Sequence, residues 1–269
     1  MAGFRVPRTP LDGLRVVPHP DVMLIVEFGS SPPTVADGAG RNYRGSLVAG
    51  PGFGSGGGVR AWGGEHVECV QVRLSPVIAG AVLGAGPADL AGSPASLDDV
   101  WGREAARIRE QLAAIPSWED RFTLMEALLV RRLRERAPVE PAVAWAWNRI
   151  AVSRGLVRIE DVAVDLGWSR KRLWSRFRSH LGIAPKSAAK LVRFDHAVHR
   201  LIVGEGAARV AADGGYYDQP HLHRDIAAFT GATPVSVLSE PFLRVDRRAW
   251  PGKARPATGE RGGRPYDGG

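Results

Sequence analysis

Cysteine is nearly absent from this sequence. Cys69 is the only one in 269 residues, which excludes an internal disulfide and fits a reducing cytosol better than a secreted scaffold. Long apolar runs are missing as well. No stretch approaches the roughly 20 residues that span a bilayer, and the apolar run at 22–28 is broken by Glu27 and then by Gly-Ser-Ser-Pro-Pro. No basic-then-apolar leader opens the chain. A cytoplasmic protein with no membrane contact is therefore expected.

Signatures of catalysis are missing too. The glycine-rich stretch 50–64 has neither the G-x-x-x-x-G-K-[ST] spacing nor the strand–G-x-G-x-x-G–helix context of a phosphate cradle, and reads as hairpin loops. No G-x-S-x-G nucleophile elbow occurs. Glu65, His66, Glu68 and Cys69 stand close together. On a strand, however, His66 and Glu68 would share the face of Val70, Val72 and Leu74 while Cys69 points the other way. A metal site of the cupin type needs two or more histidines from separate strands, and His19 is the only other histidine before residue 180. His196, His199, His221 and His223 fall in a helical region with no cysteine nearby, so no zinc cluster is expected there either. No metal, no cofactor and no enzymatic activity follow from these residues.

What is present changes along the chain. From Pro10 to about Leu90, short apolar runs at 22–28, 46–50 and 66–74 stand between Gly and Pro residues and read as β-strands. At Ser96 the period lengthens from two to about 3.6. Ser96 with Asp99 opens a helix over 97–114. Pro116 stops it, and Ser117 with Asp120 opens another over 117–136, with Phe122, Met125, Leu129 and Leu133 along one face. Ala106, Ile108 and Leu112 complete an antiparallel hairpin that either forms a homodimer or only packs on its own β-domain. Pro138 and Pro141 punctuate again, and helical text continues to about Leu243. The last residues, 244–269, have six glycines, three prolines and little apolar content, and read as a disordered basic tail.

The net charge of +8 is unevenly placed. Residues 1–139 balance 15 basic against 15 acidic side chains, 140–243 hold 14 against 10, and 244–269 hold 7 against 3. A surplus confined to the C-terminal half suits contact with a polyanion, although a basic tail that only aids solubility accounts for part of it.

That half also contains a repeat. Leu173, Phe177, Gly182 and Pro185 recur as Leu222, Ile226, Gly231 and Pro234 at a spacing of 49, while Ala163 and Gly167 recur as Ala211 and Gly215 at 48. The one-residue slip falls in a turn, where an insertion costs least. Each unit reads as a short helix, a glycine turn and a second helix capped by Ser169 or Asp218, with Pro220 tolerated in a first turn. This is the helix-turn-helix pattern, at about 159–182 and 207–230, joined by a connecting helix over 185–204. In the first unit Leu173 and Phe177 are core. Lys171, Trp174, Ser175 and Arg178 then point together on the opposite side as a candidate base-reading face, flanked by Arg170, Arg172 and Arg176 for phosphates. In the second unit the equivalent face is Pro220, His223, Arg224 and Ala227, with Gln219 and His221 at the helix start. A solvated basic helix would explain one such face, but two units with a connecting helix point to double-stranded DNA.

Residues from about 150 to 243 resemble the DNA-binding domain of AraC/XylS-type bacterial transcription regulators. The stretch from Gly215 to Leu238 is similar to that family's signature, with Gly215, Asp218, Gln219, His221, Leu222, Arg224, Phe229, Gly231 and Pro234 in place. Ile226 stands where phenylalanine is usual, and Asp225 and Ala227 where small or basic residues are common. The resemblance implies that both recognition helices enter successive major-groove segments roughly 34 Å apart, a span that a helix of about 20 residues bridges at about 1.5 Å per residue. The N-terminal half resembles, more loosely, the cupin-like sensor barrel that precedes this domain in many members, and 72–102 is similar to a module of actinobacterial ones. An α+β architecture follows, with a β-rich sensor and dimerisation domain over 1–139 and an all-α DNA-binding domain over 140–243. The implied partners are promoter DNA, a small-molecule effector, and RNA polymerase if the protein activates. Two other roles fit the same residues: a ligand-binding or enzymatic domain carried by a DNA-localising module, and an architectural repressor without a ligand.

Overall fold

A computed structural model of the chain describes residues 1–6, 11–63, 66–84, 86, 90, 93–137 and 139–238. The tail expected at 244–269 lies outside the described residues.

Strands dominate the first half, as the alternation predicts. They are β1 (Ala2–Val6), β2 (Leu11–Arg15), β3 (Val22–Glu27), β4 (Thr34–Ala36), β5 (Asn42–Arg44), β6 (Leu47–Ala49), β7 (Arg60–Gly63), β8 (Val67–Leu74) and β9 (Ala95–Ser96). They form two antiparallel sheets, one in the order β1-β8-β3-β6-β9 and the other β2-β7-β4-β5. Because strand side chains alternate between faces, β3 serves two layers. Val22, Leu24 and Val26 pack with Val70, Val72 and Leu74 of β8 against the helices. Met23 and Ile25 join Leu47, Ala49 and, from the smaller sheet, Val35, Tyr43 and Ala61.

The helical layer on the larger sheet comprises α1 (Pro76–Leu83), α2 (Leu97–Trp101), α3 (Arg103–Ala114) and α4 (Trp118–Arg134). Ser96 and Ser117 cap as expected, accepting from the amides of Asp98 and Asp120. Three features differ from the sequence expectation. The helix expected over 97–114 is broken at Gly102, whose φ of 56° and ψ of −131° only glycine adopts freely. α1 was not expected, because an octapeptide as apolar as Pro-Val-Ile-Ala-Gly-Ala-Val-Leu shows no period. In α4 the buried stripe is Arg121, Met125, Leu128 and Arg132, with Leu133 exposed.

The two arginines explain that rotation. Arg121 donates from Nε to the Leu112 carbonyl at 3.0 Å and lies over the rings of Phe28 and Trp118. Arg132 donates to the Val82 and Leu83 carbonyls at 2.6 and 3.1 Å, lies over Trp101 and pairs with Glu104. The last carbonyls of a helix have no partner within it, so Arg132 completes the end of α1. The hairpin's apolar side is thereby committed to its own sheet, through Ile108, Leu112, Met125 and Leu128.

After Pro141 the described chain is helical: α5 (Pro141–Val152), α6 (Ile159–Asp165), α7 (Arg170–Leu181), α8 (Pro185–Ile202), α9 (Ala207–Asp213), α10 (Gln219–Thr230) and α11 (Pro234–Leu238). Two cores share α8. Val143, Trp147, Ile150, Val162, Leu173, Phe177 and Leu181 gather on its first turns. Phe194, Val198, Val210, Tyr216, Leu222, Ile226 and Val237 gather further along. Full burial of each large apolar side chain contributes about 1.5–3 kcal/mol, so each helix-turn-helix unit has its own driving force for folding.

The halves meet along α8. Val17 packs on the second of these cores and Val77 of α1 on the first. Between them His19 is buried, with Arg73 Nη1 2.6 Å from its Nε2, the Asp21 amide 3.0 Å from its Nδ1 and the Asp195 carboxylate 3.5 Å away.

Candidate nucleic-acid interface

Both helix-turn-helix units are built from the same local devices. α6 gives way to α7 through Gly167 at φ 63°, and α9 to α10 through Gly215 at φ 68°. Ser169 Oγ accepts from the Arg172 amide at 3.2 Å, and Asp218 Oδ1 from the His221 amide at 2.7 Å. Each recognition helix ends on a left-handed glycine, Gly182 or Gly231. The connecting helix α8 ends at Ile202, two residues short of the expected end.

On α7, Leu173, Phe177 and Leu181 are buried, which turns Lys171, Trp174, Ser175 and Arg178 together into solvent. Trp174 is 48 % exposed. Arg178 lies over its ring at 5.1 Å. Arg170 and Arg172 are also exposed; Arg172 stacks on Trp168 at 4.6 Å, and Arg170 has Glu160 3.9 Å away. Arg176 is different. Glu140 accepts from its Nε at 2.8 Å and its Nη2 at 2.5 Å, so this guanidinium is engaged by the start of α5. α7 carries five cations and no acid, so this surface is the strongest concentration of positive charge on the recognition helices.

On α10, Gln219, Pro220, Arg224 and Ala227 are exposed and His223 is half-buried. Gln219 reaches the His223 ring at 3.4 Å, and Arg224 Nε donates to the Pro220 carbonyl at 3.4 Å. His221 is turned back on the bend. Its Nδ1 accepts from the Tyr217 amide at 3.3 Å and its ring stands edge-on to Tyr216.

Asp225 does not face outward at all. It is buried, 2.9 Å from Lys190 Nζ and 3.3 Å from Arg193 Nη2, and Arg193 lies over the Tyr216 ring. The acid therefore ties α10 to α8. Two aromatic groups in the turns escaped the sequence reading, Trp168 under Arg172 and Tyr217, which is 94 % exposed. The slip from 48 to 49 was the available signal. Trp168 aligns with the buried Tyr216, leaving Tyr217 as the extra residue.

The residues weighed as a metal site do not come together. His66 is exposed in a turn at φ 66°, outside β8, so the strand face imagined for it does not exist. Cys69 is buried, and its thiol is pushed up to about 12 by burial and then by Glu27, which keeps it in the unreactive protonated form. Among the described residues no group of three or more His, Cys, Asp or Glu side chains is placed to hold a metal, and no helix is long and apolar enough to cross a membrane.

A family model described as a helix-turn-helix domain matches residues 162–239. No curated protein matches the chain by sequence. Among solved structures, ToxT from Vibrio cholerae is similar in fold at 11% identity, with a TM-score of 0.51 over 90% of this chain and 97% of that one. ToxT from strain SCE256 with an unsaturated fatty acid bound aligns at 11% identity and a TM-score of 0.45, over 89% and 94%. The C-terminal domain of AraT, a response regulator from Geobacillus stearothermophilus, aligns at 20% identity and a TM-score of 0.35, over 44% of this chain and 97% of that one.

Proposed function

We propose that the chain is a DNA-binding transcription regulator of the AraC type, that residues 162–239, which match a helix-turn-helix family model, lie in its DNA-binding part, and that it reads a split site with α7 and α10 in adjacent major-groove segments. The observation that carries the reading is the open face of α7, where Lys171, Trp174, Ser175 and Arg178 are exposed together on a helix that buries its other side. Lys171 and Arg178 donate to base acceptors and Trp174 packs on thymine methyls or sugars, while Arg170 and Arg172 neutralise phosphates. Arg176 does the same once DNA competes with Glu140. Gln219, His223 and Arg224 read the second segment more weakly, with Gln219 matched to adenine, and His221 supports the helix start.

In this reading residues 1–139 form the sensor and 140–243 the DNA-binding domain. A small-molecule effector acts through the sensor, and the hairpin of α3 and α4 remains a candidate homodimer surface through exposed Val130 and Leu133. RNA polymerase is a partner if the regulator activates. Gel-shift titration of the full chain on the duplex upstream of its own gene, with and without metabolites, tests this. Expected is a shift that resists unlabelled random DNA. Binding no tighter than to random duplex would overturn it.

A further inference from the structure

We infer that the N-terminal half positions the second recognition helix by completing its C-terminal cap. The inference rests on the DNA-binding reading above. α10 ends at Thr230, and Gly231, at φ 64°, turns its N–H back to the Ala227 carbonyl. The last two carbonyls of the helix, those of Phe229 and Thr230, are both met from the other half of the molecule. The Gly56 N–H donates to Phe229 O at 3.1 Å, and Arg15 Nη1 donates to Thr230 O at 2.6 Å, across 215 residues of sequence. A guanidinium at a helix C-terminus also opposes the negative end of the helix dipole.

Backbone meets backbone here, and only glycine allows it. A Cβ on Gly57 would stand 2.7 Å from the Gly231 Cα, 2.8 Å from its nitrogen and 2.8 Å from the Thr230 oxygen; Gly57 also sits at φ +77°. A Cβ on Gly231 would come within 3.1 Å of the Gly57 Cα. The turn is held from behind, since the Gly52 N–H donates to His19 O at 2.8 Å and the Ser55 N–H to Gly52 O at 2.9 Å. The glycine-rich run that is no phosphate loop is thus a docking turn shaped to a helix end.

α7 meets the N-terminal half differently, through apolar contact with α1, whose Val77 packs on its core. The asymmetry matches the charges. α10 carries far fewer cations than α7, so it gains less sequence-independent affinity from phosphates and depends more on being held in the right pose. The grip is also at the end away from DNA. Recognition helices contact bases through their N-terminal residues, and Gln219, Pro220 and Arg224 stay exposed while the last turn is clasped. The contact therefore pre-positions α10 instead of blocking it, and Arg15 is a positioning residue.

The test uses the full chain and a duplex selected from a random-sequence library by the unmodified protein. Hydroxyl-radical footprints are compared for Arg15→Ala and Gly57→Val. Expected is about tenfold more protein to protect the half-site read by α10, equivalent to ~1.4 kcal/mol, with the α7 half-site unchanged. Equal weakening at both half-sites, or at neither, overturns the inference. If Gly57→Val does not fold, Arg15→Ala alone decides. A DNA-free arm measures amide exchange: in Arg15→Ala the last turn of α10 should exchange about tenfold faster while α7 does not change. Unaltered exchange in α10 overturns the clasp whatever happens on DNA. Failure of the unmodified protein to select any duplex counts against the proposed function, and the exchange result then still decides the clasp.

Discussion

The side chains that most constrain the N-terminal half are two arginines in an apolar core. Arg132 satisfies the end of α1 and joins it to Trp101 and Glu104. Truncation removes a charged donor and leaves two buried carbonyls and a carboxylate short of a partner. Arg132→Ala should therefore cost about 2–4 kcal/mol, read as a lower urea midpoint with unchanged slope. DNA affinity of the folded fraction should not change, because α7 and α10 lie elsewhere; a variant as stable as the parent would show the site to be wet. Neither arginine was legible in the sequence. A helical stripe is found by following apolar residues, and Phe122, Met125, Leu129 and Leu133 offered a cleaner stripe than one containing Arg121 and Arg132. The stripe turned because guanidinium stems bury well while the head finds carbonyls and aromatic faces. His66 misled for a related reason: a strand pattern says nothing of the positive φ just before it.

At the scale of elements the C-terminal half was almost fully legible, because each of its boundaries is written in residue chemistry. Gly167, Ser169, Gly182, Gly215, Asp218 and Gly231 all adopt the turn or cap expected of them. Caps of this kind contribute about 1 kcal/mol each. Asp218→Ala should accordingly lower the melting temperature by a few degrees and leave the first unit intact, while an unchanged melt would show that Pro220 and Tyr216 alone fix the helix start. The elements also divide the work on DNA. Arg170 and Arg172 are exposed cations beside the reading face, and each phosphate neutralised contributes about 0.9 to the slope of log affinity against log salt. Replacing both by glutamine should flatten that slope by about 1–2, whereas His223→Ala with Arg224→Gln should change it less. Equal changes would remove the asymmetry between the units. Asp225 shows where the reading stopped. From sequence it was only an acid where small or basic residues are common, and the packing of α10 on α8 reveals that it faces Lys190 and Arg193.

For the molecule as a whole, the sequence could show two halves but not their junction, since the junction uses backbone, glycine and buried polar groups that leave no period. His19 lies at its centre. Two donors, Arg73 and the Asp21 amide, face its two ring nitrogens; a neutral imidazole accepts from one of them, whereas an imidazolium has a lone pair for neither. Burial first, then Arg73 and His199, hold its pKa well below the ordinary value. His196, one face along α8, is lowered to about 4 by burial, with Arg154, Arg200 and His199 adding to the effect and Glu205 opposing it. Both rings are thus neutral when folded but titrate near 6.5 when unfolded. Below 6.5 the unfolded chain binds more protons, so stability is complete above that pH and is lost as pH falls, for His196 through the window toward 4. The loss is at most about 1.4 kcal/mol per pH unit for each histidine. Glu27, raised by burial, acts in the opposite direction. Chemical denaturation at pH 7.5, 6.5 and 5.5 should show little change over the first step and a clear fall over the second. His196→Gln, which cannot titrate, should shrink the second step. Because His19 and Asp195 bridge the halves, the fall should appear together in probes of Trp101 and Trp147, one on each side of the junction. A flat profile would mean that both rings take up protons in the folded chain as readily as in the unfolded one, and loss in only one half that the two halves respond to acid independently.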